Sequence, residues 1–343
     1  MSDMNNDTIL IPEAQLHDLS MRVLQHLGLS AAHAGAMTRI VVAGQRDACQ
    51  SHGAYRILSA AQTIRTGLVD LQAAPIVQPT QGAITRVDAR KAFSPLALEA
   101  GLPHLVAATR QLGVGALVIN HCFHFTALWP EVEMLTAQGL AALVMTPSHA
   151  WVAPTGGKRG VFGTNPIAFG WPRPGPGPYP YVFDFATSAI ARGDLELHRR
   201  AGKPLPEGAG VDADGNPSTD PVAVAKGAML TFGGHKGSAL STMVELMAGA
   251  LIGDLNSQGS MDFDAGKGGV PYHGHLLLAF DPQRFAGDDW PASQERAEAM
   301  FAAITDQGAR LPSERRFAAR AQSAKQGISM SRALYNDIEA LMH

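Results

Sequence analysis

The segment ALVINHCFHFTALWPEVEMLTAQGLAALVMT, residues 116–146, has the clearest structural pattern in the chain. Its first five residues, 116–120, predict a strand, residues 126–138 predict a helix, and residues 141–146 predict a second strand. The helix between the two strands gives a crossover of the size found in nucleotide-binding units. The segment therefore predicts an α/β protein.

The stretches around this unit alternate between helical and extended patterns. Helical patterns cover much of residues 12–66 and return at 96–112, 238–255, 293–306 and 331–342. Short apolar runs at 83–88, 167–171, 181–185 and 275–280 predict further strands, and residues 172–180 and 202–221 predict loops. We expect a sheet-rich central domain, residues 116–284, inserted into a helical domain built from residues 1–115 and 285–343.

Composition indicates an ordinary globular protein. The 343 residues are 46% hydrophobic and 17% charged, and the net charge of -3 offers no attraction to nucleic acid or to an anionic membrane. Two cysteines, Cys49 and Cys122, form no disulfide framework and fit a reducing compartment. The amino-terminal residues lack the apolar run of a signal peptide, and no apolar window is long enough to span a bilayer. We expect a soluble intracellular protein.

The run DACQSHGAYR, residues 47–56, carries a proton donor and an anion anchor close together. Ser51 is a good helix N-cap, which would place His52 in the first turn and Arg56 four residues later on the same face. Histidine titrates near neutrality, and arginine binds carboxylates with two parallel hydrogen bonds. The pair could act on one small carboxylate molecule. The alternative is a capped surface helix with solvated side chains.

A second polar group joins the first strand of the 116–146 unit to its helix. Free amides at a helix start near Thr126 would suit a phosphate, and the His124 side chain could add a donor. His121, Cys122 and His124 are also metal-ligand types, which would suit a metal-dependent hydrolase. Their spacing is not that of a structural zinc site. We therefore expect no metal.

Three more segments place small or polar residues where a ligand could approach. Thr164 follows a glycine in GTNP, residues 163–166, and residues 184–188, DFATS, follow a predicted strand. The loop GGHKG, residues 233–237, suits an anion at the start of a helix. Asp194, if it lies near His52, would favour the charged imidazole, whereas the alternative is a surface ion pair with Arg192 or His198. The dinucleotide fingerprint Gly-x-Gly-x-x-Gly is absent.

In this order and spacing, these motifs resemble one family, the malate/L-lactate dehydrogenase-like NAD(P)-dependent oxidoreductases that lack a Rossmann fold. The resemblance covers roughly residues 11–324. It implies a mixed α/β, non-Rossmann fold whose central cofactor domain is largely antiparallel. Within the family, the chain is most similar to the branch that reduces cyclic imine 2-carboxylates to L-pipecolate and L-proline. This implies a cytoplasmic, NADPH-dependent homodimer of amino-acid metabolism, D-lysine catabolism included, without nucleic-acid or membrane partners.

The resemblance also implies roles for individual residues. His52 would be the proton donor, with Ser51 and Asp194 as its relay partners, while Arg56 and Thr164 would hold the substrate. The implied cofactor contacts are His124, Phe125, Thr126, Ala127, Leu128, Asp184, Phe185, Ala186, Thr187, Ser188, His235, Lys236, Arg310, Leu311, Pro312, Ser313 and Glu314.

Three departures from the family pattern bear on function. Many members have Asn-Ser-x-His-Phe-Gly where this chain has His121 and Thr126, and many have Pro-Gly-Glu where this chain has Ser313. Hydroxy acid dehydrogenases often have lysine at the position of Asp194, so this carboxylate favours imine reduction. The alternative activity is a 2-keto acid reductase or 2-hydroxy acid dehydrogenase, because its substrate also presents a carboxylate beside a C=X bond.

Overall fold

The computed structural model describes residues 7–79, 81–175 and 179–343, so the predicted loop at 172–180 lies partly outside the described residues. The strands are β1 (Thr8–Ile11), β2 (Ile76–Val77), β3 (Ile84–Asp88), β4 (Val114–Phe123), β5 (Ala141–Met145), β6 (Val152–Ala153), β7 (Ile167–Trp171), β8 (Tyr181–Phe185), β9 (Gly210–Val211), β10 (Pro217–Ser218), β11 (Ala228–Leu230), β12 (Tyr272–Phe280) and β13 (Ile328–Ser331).

The helices are α1 (Glu13–His26), α2 (Ala31–Arg46), α3 (Tyr55–Ile64), α4 (Ser94–Leu112), α5 (Trp129–Thr136), α6 (Arg192–Ala201), α7 (Pro221–Lys226), α8 (His235–Glu245), α9 (Ser257–Asp264), α10 (Pro282–Ala286), α11 (Trp290–Thr305), α12 (Glu314–Gln326) and α13 (Arg332–Glu339). Short 3-10 turns span Gln50–His52, Gly287–Asp289 and Ala340–Met342, and a π-helical segment spans Leu246–Ala250. Within the described ranges, no helix combines the length and apolar character needed to cross a membrane.

The central sheet has seven strands in the order β2-β3-β4-β12-β5-β7-β8. β3 and β4 are parallel, and every other neighbouring pair is antiparallel. β12 lies between β4 and β5 and runs antiparallel to both, so β4 and β5 point the same way with α5 between them in the chain. The prediction of a mixed, largely antiparallel α/β fold is confirmed.

Side chains alternate between the two faces of this sheet. On one face Leu117 and Val144 pack with Val132 of α5, while on the other Val118 packs with Val244 of α8. Helices cover both faces, which explains why the strands are apolar throughout. The carboxyl end of β4 therefore emerges beside the start of α5.

The two ends of the chain meet in a helical layer. β1 pairs with β13, and residues from both ends share one core with Phe123 and Phe125, including Leu16, Leu19, Met37, Ile57, Ile328 and Ile338. This arrangement agrees with a domain assembled from both termini. β2 and β3, however, extend the central sheet although they precede residue 116, so the division at that residue stays a prediction.

The helical period of residues 238–255 predicts that Met243, Leu246, Met247, Ala250 and Leu251 face inward, but the structure buries a different face. Leu246 and Leu251 are 58% and 63% exposed, whereas Val244, Ala248 and Ile252 are buried. α8 ends at Glu245, and the π-helical segment continues the same rod. The prediction that Leu246, Ala250 and Leu251 point inward is wrong because apolar residues occupy both faces here, and periodicity could not choose between them.

Candidate active site

The 47–56 run does not start a helix at Ser51. Residues 50–52 form a 3-10 turn, and α3 begins at Tyr55. Gln45 replaces the predicted cap, since its Oε1 accepts the Ala54 amide at 3.1 Å. Gly53 is required here because a Cβ at this position would lie 2.5 Å from the same Oε1. The prediction that Ser51 caps the helix is therefore wrong.

The three predicted catalytic residues nevertheless form a chain. The Ser51 Oγ lies 3.2 Å from Nδ1 of His52, and Ser51 also shares a hydrogen bond with the Asp194 carboxyl group. Asp194 lies in the first turn of α6. Gly193 permits this approach, because a Cβ there would stand 2.9 Å from the Ser51 Cβ. The order along the chain of contacts is Asp194, Ser51, His52.

The pKa values of His52 and Asp194 contradict the expectation that the His52 imidazole is charged. Burial, followed by the positive charge of Arg56, lowers the pKa of His52 to about 4. Burial raises the pKa of Asp194, although its hydrogen bond with Ser51 opposes that shift. The prediction that Asp194 keeps the imidazole charged is therefore wrong, because Ser51 separates the two groups and desolvation dominates. Both shifts favour a neutral imidazole and a protonated carboxyl group.

Arg56 lies in the first turn of α3 without a carboxylate partner among the described residues. Its Nε is buried and has no hydrogen-bond acceptor. The guanidinium lies 5.5 Å from the centre of the Phe125 ring, and burial lowers the pKa of Arg56 to about 10. A desolvated, unpaired guanidinium strongly favours an incoming anion, and a planar carboxylate matches its geometry.

His124 stands at the end of β4 among other imidazoles. Its ring centre is 5.6 Å from that of His273 and 4.7 Å from that of His275. Burial lowers the pKa of His124 well below its usual value, and the charges of its neighbours, Arg56 and His52 among them, act in the same direction. His124 therefore belongs to the same site as the proton-transfer chain.

The metal-site alternative from the sequence does not assemble. Nδ1 of His121 lies 3.1 Å from Asp88, and the Cys122 thiol donates to a backbone carbonyl on the neighbouring strand. Neither side chain groups with His124, so the hydrolase alternative built on these three residues is wrong. Within the described residues, the cluster whose donor atoms are spaced for a metal is His124, Glu131 and His275.

The helix start near Thr126 is capped by a side chain. Asp184 Oδ2 accepts the amides of Leu128 and Trp129, both at 2.9 Å, and α5 begins at Trp129. Burial raises the pKa of Asp184 to about 6, and the two amides oppose the shift. These two amides are not free for a phosphate, which corrects that part of the prediction. Asp184 fixes the helix start that forms one wall of the site.

Two of the predicted cofactor segments contribute Asp184, Phe185 and residues 310–314 to two adjoining cavities, which together form a groove. Residues 181–185 and 312–313 line a cavity of about 530 Å³, and an adjoining cavity of about 670 Å³ lies between Asp184, Trp129 and residues 310–316. Phe185 contacts Phe232 edge-on at 5.7 Å, directly before the loop that exposes His235 and Lys236 at the start of α8. Aromatic walls, exposed cations and a helix N-terminus suit a dinucleotide.

Ser313 explains one departure from the family pattern. Its φ of +67° lies in the left-handed region, where glycine is favoured. The Ser313 hydroxyl donates to the Val182 carbonyl at 2.8 Å, which ties the turn before α12 to β8. The turn thus keeps the backbone shape that a glycine would allow, and the serine adds a contact between two walls of the groove.

The backbone of Thr164 contacts one of the predicted cofactor segments, residues 184–188. Its carbonyl accepts the Thr187 amide at 2.8 Å. The Thr187 hydroxyl is shared with Ser241 of α8 at 2.7 Å, and the Ser188 hydroxyl donates to the Ile190 carbonyl. Residues 163–166 and 184–188, Ala186 included, therefore form one wall. The contact of Thr164 with substrate stays a prediction.

Four residues of the site escaped the sequence interpretation. Glu131, His273 and His275 surround His124, and Gln45 supports the 50–54 turn. The alternation His273-x-His275 within an apolar run was a usable signal, because two buried imidazoles on one strand face need polar partners. Gln45 gave no signal, since its partner is a backbone amide nine residues away.

The chain combines a mixed α/β fold, two adjoining cavities and a hydrogen-bonded series of Asp194, Ser51 and His52, and it is an oxidoreductase. Residues 11–339 match the family model described as malate/L-lactate dehydrogenase. The chain belongs to this family, whose reductases use a nicotinamide cofactor.

Similar proteins narrow the comparison. The chain is 57% identical over 336 residues to Δ1-pyrroline-2-carboxylate reductase 2 of Burkholderia multivorans, covering 98% of each chain. It is 52% identical to the Δ1-pyrroline-2-carboxylate/Δ1-piperideine-2-carboxylate reductase of Pseudomonas aeruginosa, over 96% of this chain and 98% of that protein. The crystal structure of Δ1-piperideine-2-carboxylate reductase from Pseudomonas syringae pv. tomato superposes with a TM-score of 0.90 at 41% identity, covering 97% of this chain and 99% of that one.

Proposed function

We propose that this protein uses NADPH to reduce Δ1-pyrroline-2-carboxylate to L-proline and Δ1-piperideine-2-carboxylate to L-pipecolate. The observation that carries the proposal is the buried, unpaired Arg56 beside His52. The reaction adds a hydride to the imine carbon and a proton to the ring nitrogen. The substrate must therefore be held by its carboxylate with the nitrogen near an acid.

Arg56 binds and orients the substrate. A carboxylate placed against its guanidinium would pair the charge that burial leaves unsatisfied, and the Phe125 ring lies 5.5 Å from the guanidinium carbon. Orientation of this kind contributes to rate because the reacting atoms are held close together in advance. Thr164 would add a hydroxyl contact to the same molecule.

The proton would reach the substrate through the chain of Asp194, Ser51 and His52. Burial lowers the pKa of His52 and raises the pKa of Asp194. In the proposed mechanism the carboxyl group of Asp194 holds the proton. Ser51 then donates to His52 Nδ1 while the proton on Nε2 moves to the ring nitrogen, and Asp194 returns a proton to Ser51. A positioned acid of this kind accelerates a reaction by about 10²–10⁴-fold.

The groove residues would hold the cofactor, which supplies the hydride when bound. Lys236 at the start of α8 and Arg310 beside the second cavity would offer positive charge to phosphates, and His235 would offer a hydrogen-bond donor. Phe185 offers a ring 41% exposed at the groove. Asp184 and Ser313 hold the walls in place through Leu128, Trp129 and Val182.

Four further features are part of the proposal. The family resemblance supports NADPH over NADH, a cytoplasmic location and a place in amino-acid metabolism that includes D-lysine catabolism. It also supports a homodimer, for which the exposed Leu246 and Leu251 offer apolar surface. Light scattering during gel filtration measures the assembly, and a monomeric mass would contradict the dimer.

A direct assay tests the activity. NADPH oxidation is followed by absorbance with Δ1-pyrroline-2-carboxylate, Δ1-piperideine-2-carboxylate and pyruvate in parallel, and NADH is substituted in a second series. We expect both cyclic imines to be reduced with a much higher kcat/KM than pyruvate. Preferential turnover of pyruvate would assign the protein to the keto acid reductases instead, since that substrate fits the same arginine.

A further inference from the structure

A buried chain of hydrogen bonds runs from His124 through Thr126 to Glu131. His124 Nε2 lies 3.3 Å from Thr126 Oγ1, and the Thr126 hydroxyl donates to Glu131 Oε1 at 2.8 Å. The other carboxylate oxygen, Oε2, lies 2.9 Å from Nε2 of His275. Glu131 and His275 are almost completely inaccessible to solvent. Burying a carboxyl group this deeply costs free energy unless hydrogen bonds or charges around it offset the lost solvation.

The direction of each hydrogen bond follows from the groups themselves. The Thr126 hydroxyl donates to Glu131 Oε1, and a hydroxyl group carries a single proton. His275 Nε2 and Glu131 Oε2 lie close together, but neither atom has a hydrogen-bond partner among the described residues. The Thr126 hydroxyl has then used its single proton, and its oxygen must accept from His124. His124 therefore carries its proton on Nε2.

This assignment determines what His124 offers to a ligand. The lowered pKa keeps the imidazole neutral, so a proton on Nε2 leaves Nδ1 as a bare acceptor. Among the described residues, no donor is seen bonded to Nδ1. His52 and Arg56 influence the same imidazole through their charge, and so do His273 and His275.

We infer that Thr126 and Glu131 are positioning residues that hold His124 as the Nε2-protonated tautomer, with Nδ1 free to accept a hydrogen bond from an N–H group in the active site. The N–H class includes the carboxamide of a nicotinamide and the protonated ring nitrogen of an imine. The tautomer assignment stands independently of the substrate, and only its kinetic consequence rests on the proposed function.

Alternative roles for the cluster are distinguishable. His124, Glu131 and His275 present ligand atoms within 4.8 Å of one another, a spacing that a metal ion could bridge. A metal would need the lone pair of a deprotonated imidazole nitrogen, and the hydrogen bond to Thr126 would then be lost. Metal binding and the proposed tautomer therefore exclude each other at His124 Nε2.

The experiment measures the tautomer directly. Nitrogen chemical shifts of isotope-labelled histidines are recorded for the wild type, Thr126→Val, Thr126→Ser and Glu131→Gln, with His124→Gln used to assign the signal. We expect the Nε2-protonated form in the wild type and in Thr126→Ser, and a mixture of tautomers in Thr126→Val and Glu131→Gln. Thr136→Val, a hydroxyl removed at the other end of α5, is the matched control and should leave the signal unchanged.

Kinetics and elemental analysis complete the test. If the proposed reduction is correct, kcat should fall about tenfold in Thr126→Val and recover in Thr126→Ser, the size expected for one hydrogen bond near a charged group. An unchanged Nε2-protonated signal in Thr126→Val would overturn the inference even if the enzyme reduces cyclic imines. Stoichiometric zinc or iron in the purified wild type would overturn it as well.

Discussion

Two arginines, Arg320 and Arg56, differ in their partners. Arg320 donates to both oxygens of Asp47, at 3.0 and 3.1 Å from Nε, and from Nη2 to Glu133 at 2.8 Å. Arg56, nine residues after Asp47, has no carboxylate partner among the described residues, and its Nε has no hydrogen-bond acceptor. The pKa of Arg320 is raised by its carboxylates despite burial, whereas burial lowers the pKa of Arg56.

The paired Arg320 has a structural role, whereas the unpaired Arg56 is suited to bind a ligand. Asp47, Glu133, Arg316 and Arg320 form a network of ion pairs that joins α12 to α5 and to the end of α2. Nη2 of Arg316 is the member atom without a hydrogen-bond partner among the described residues. The paired cluster holds the groove wall in place whether or not a ligand is bound. Arg56 remains desolvated without compensation, and such a charge is retained where an external anion completes it.

Removal of Arg56 should have the largest effect on activity. In Arg56→Met we expect kcat/KM for cyclic imine carboxylates to fall about a thousandfold, the size of losing a buried charge pair with a ligand. The melting temperature should stay the same or rise, because an unsatisfied buried charge is removed. Steady-state kinetics and calorimetry on the same preparation check both. A large loss of stability would mean that Arg56 belongs to the scaffold.

Removal of Arg320 should have the opposite profile. Arg320→Met leaves the buried Asp47 short of its strongest partner, so the free energy of unfolding should fall by about 3 kcal/mol. Chemical denaturation at neutral pH measures this. The folded fraction should keep its KM for the imine, since Arg320 lies on α12 away from Arg56. A rise in the KM for the imine with an unchanged free energy of unfolding would contradict the structural role of Arg320.

The proton-transfer chain gives a prediction about pH. If Asp194 stores the proton, kcat/KM should decline as pH rises through the raised pKa of Asp194, because the protonated form is the active one. Asp194→Asn should lower kcat by about 10²-fold and remove that decline. Ser51→Ala should resemble it, because Ser51 connects Asp194 to His52. A wild-type pH profile retained in Asp194→Asn would exclude Asp194 as the proton store.

The smallest expected effect is a shift in the His52 titration. Arg56 is a named cause of the low pKa of His52, second to burial, so its replacement by methionine should raise that pKa from about 4 toward the ordinary value. The shift should be partial, since burial remains. A histidine NMR titration of the wild type and of Arg56→Met measures it. An unchanged pKa would show that the Arg56 charge does not reach the imidazole.

Sequence patterns predict a large part of this fold, because the strand–helix–strand unit at its centre is formed by residues that are close together in the chain. The periodicity of residues 116–146 predicts a strand, a helix and a second strand. They correspond to β4, α5 and β5 in the structure. The insertion of β12 between β4 and β5 could not be read, because it is set by pairing between segments far apart in the chain. The short β13 and the helix α12 also lacked a clear apolar period, since α12 is mostly polar.

The site shows the same limit. Ser51, His52 and Asp194 were named from the sequence, and the structure joins them. The lowered pKa of His52 could not be predicted from the sequence, because it depends mainly on how deeply the imidazole is buried. The capping of α5 by Asp184 was missed for a related reason, since the carboxylate comes from a strand 55 residues or more away.

The central claim is that Arg56 exists to bind the substrate carboxylate, and one comparison of substrates tests it most directly. The kcat/KM values for Δ1-pyrroline-2-carboxylate and for Δ1-pyrroline, the same ring without its carboxylate, are measured with the wild type and with Arg56→Met. The account predicts a strong wild-type preference for the carboxylate that disappears in Arg56→Met, with little change for Δ1-pyrroline itself. A preference that survives the substitution would contradict it.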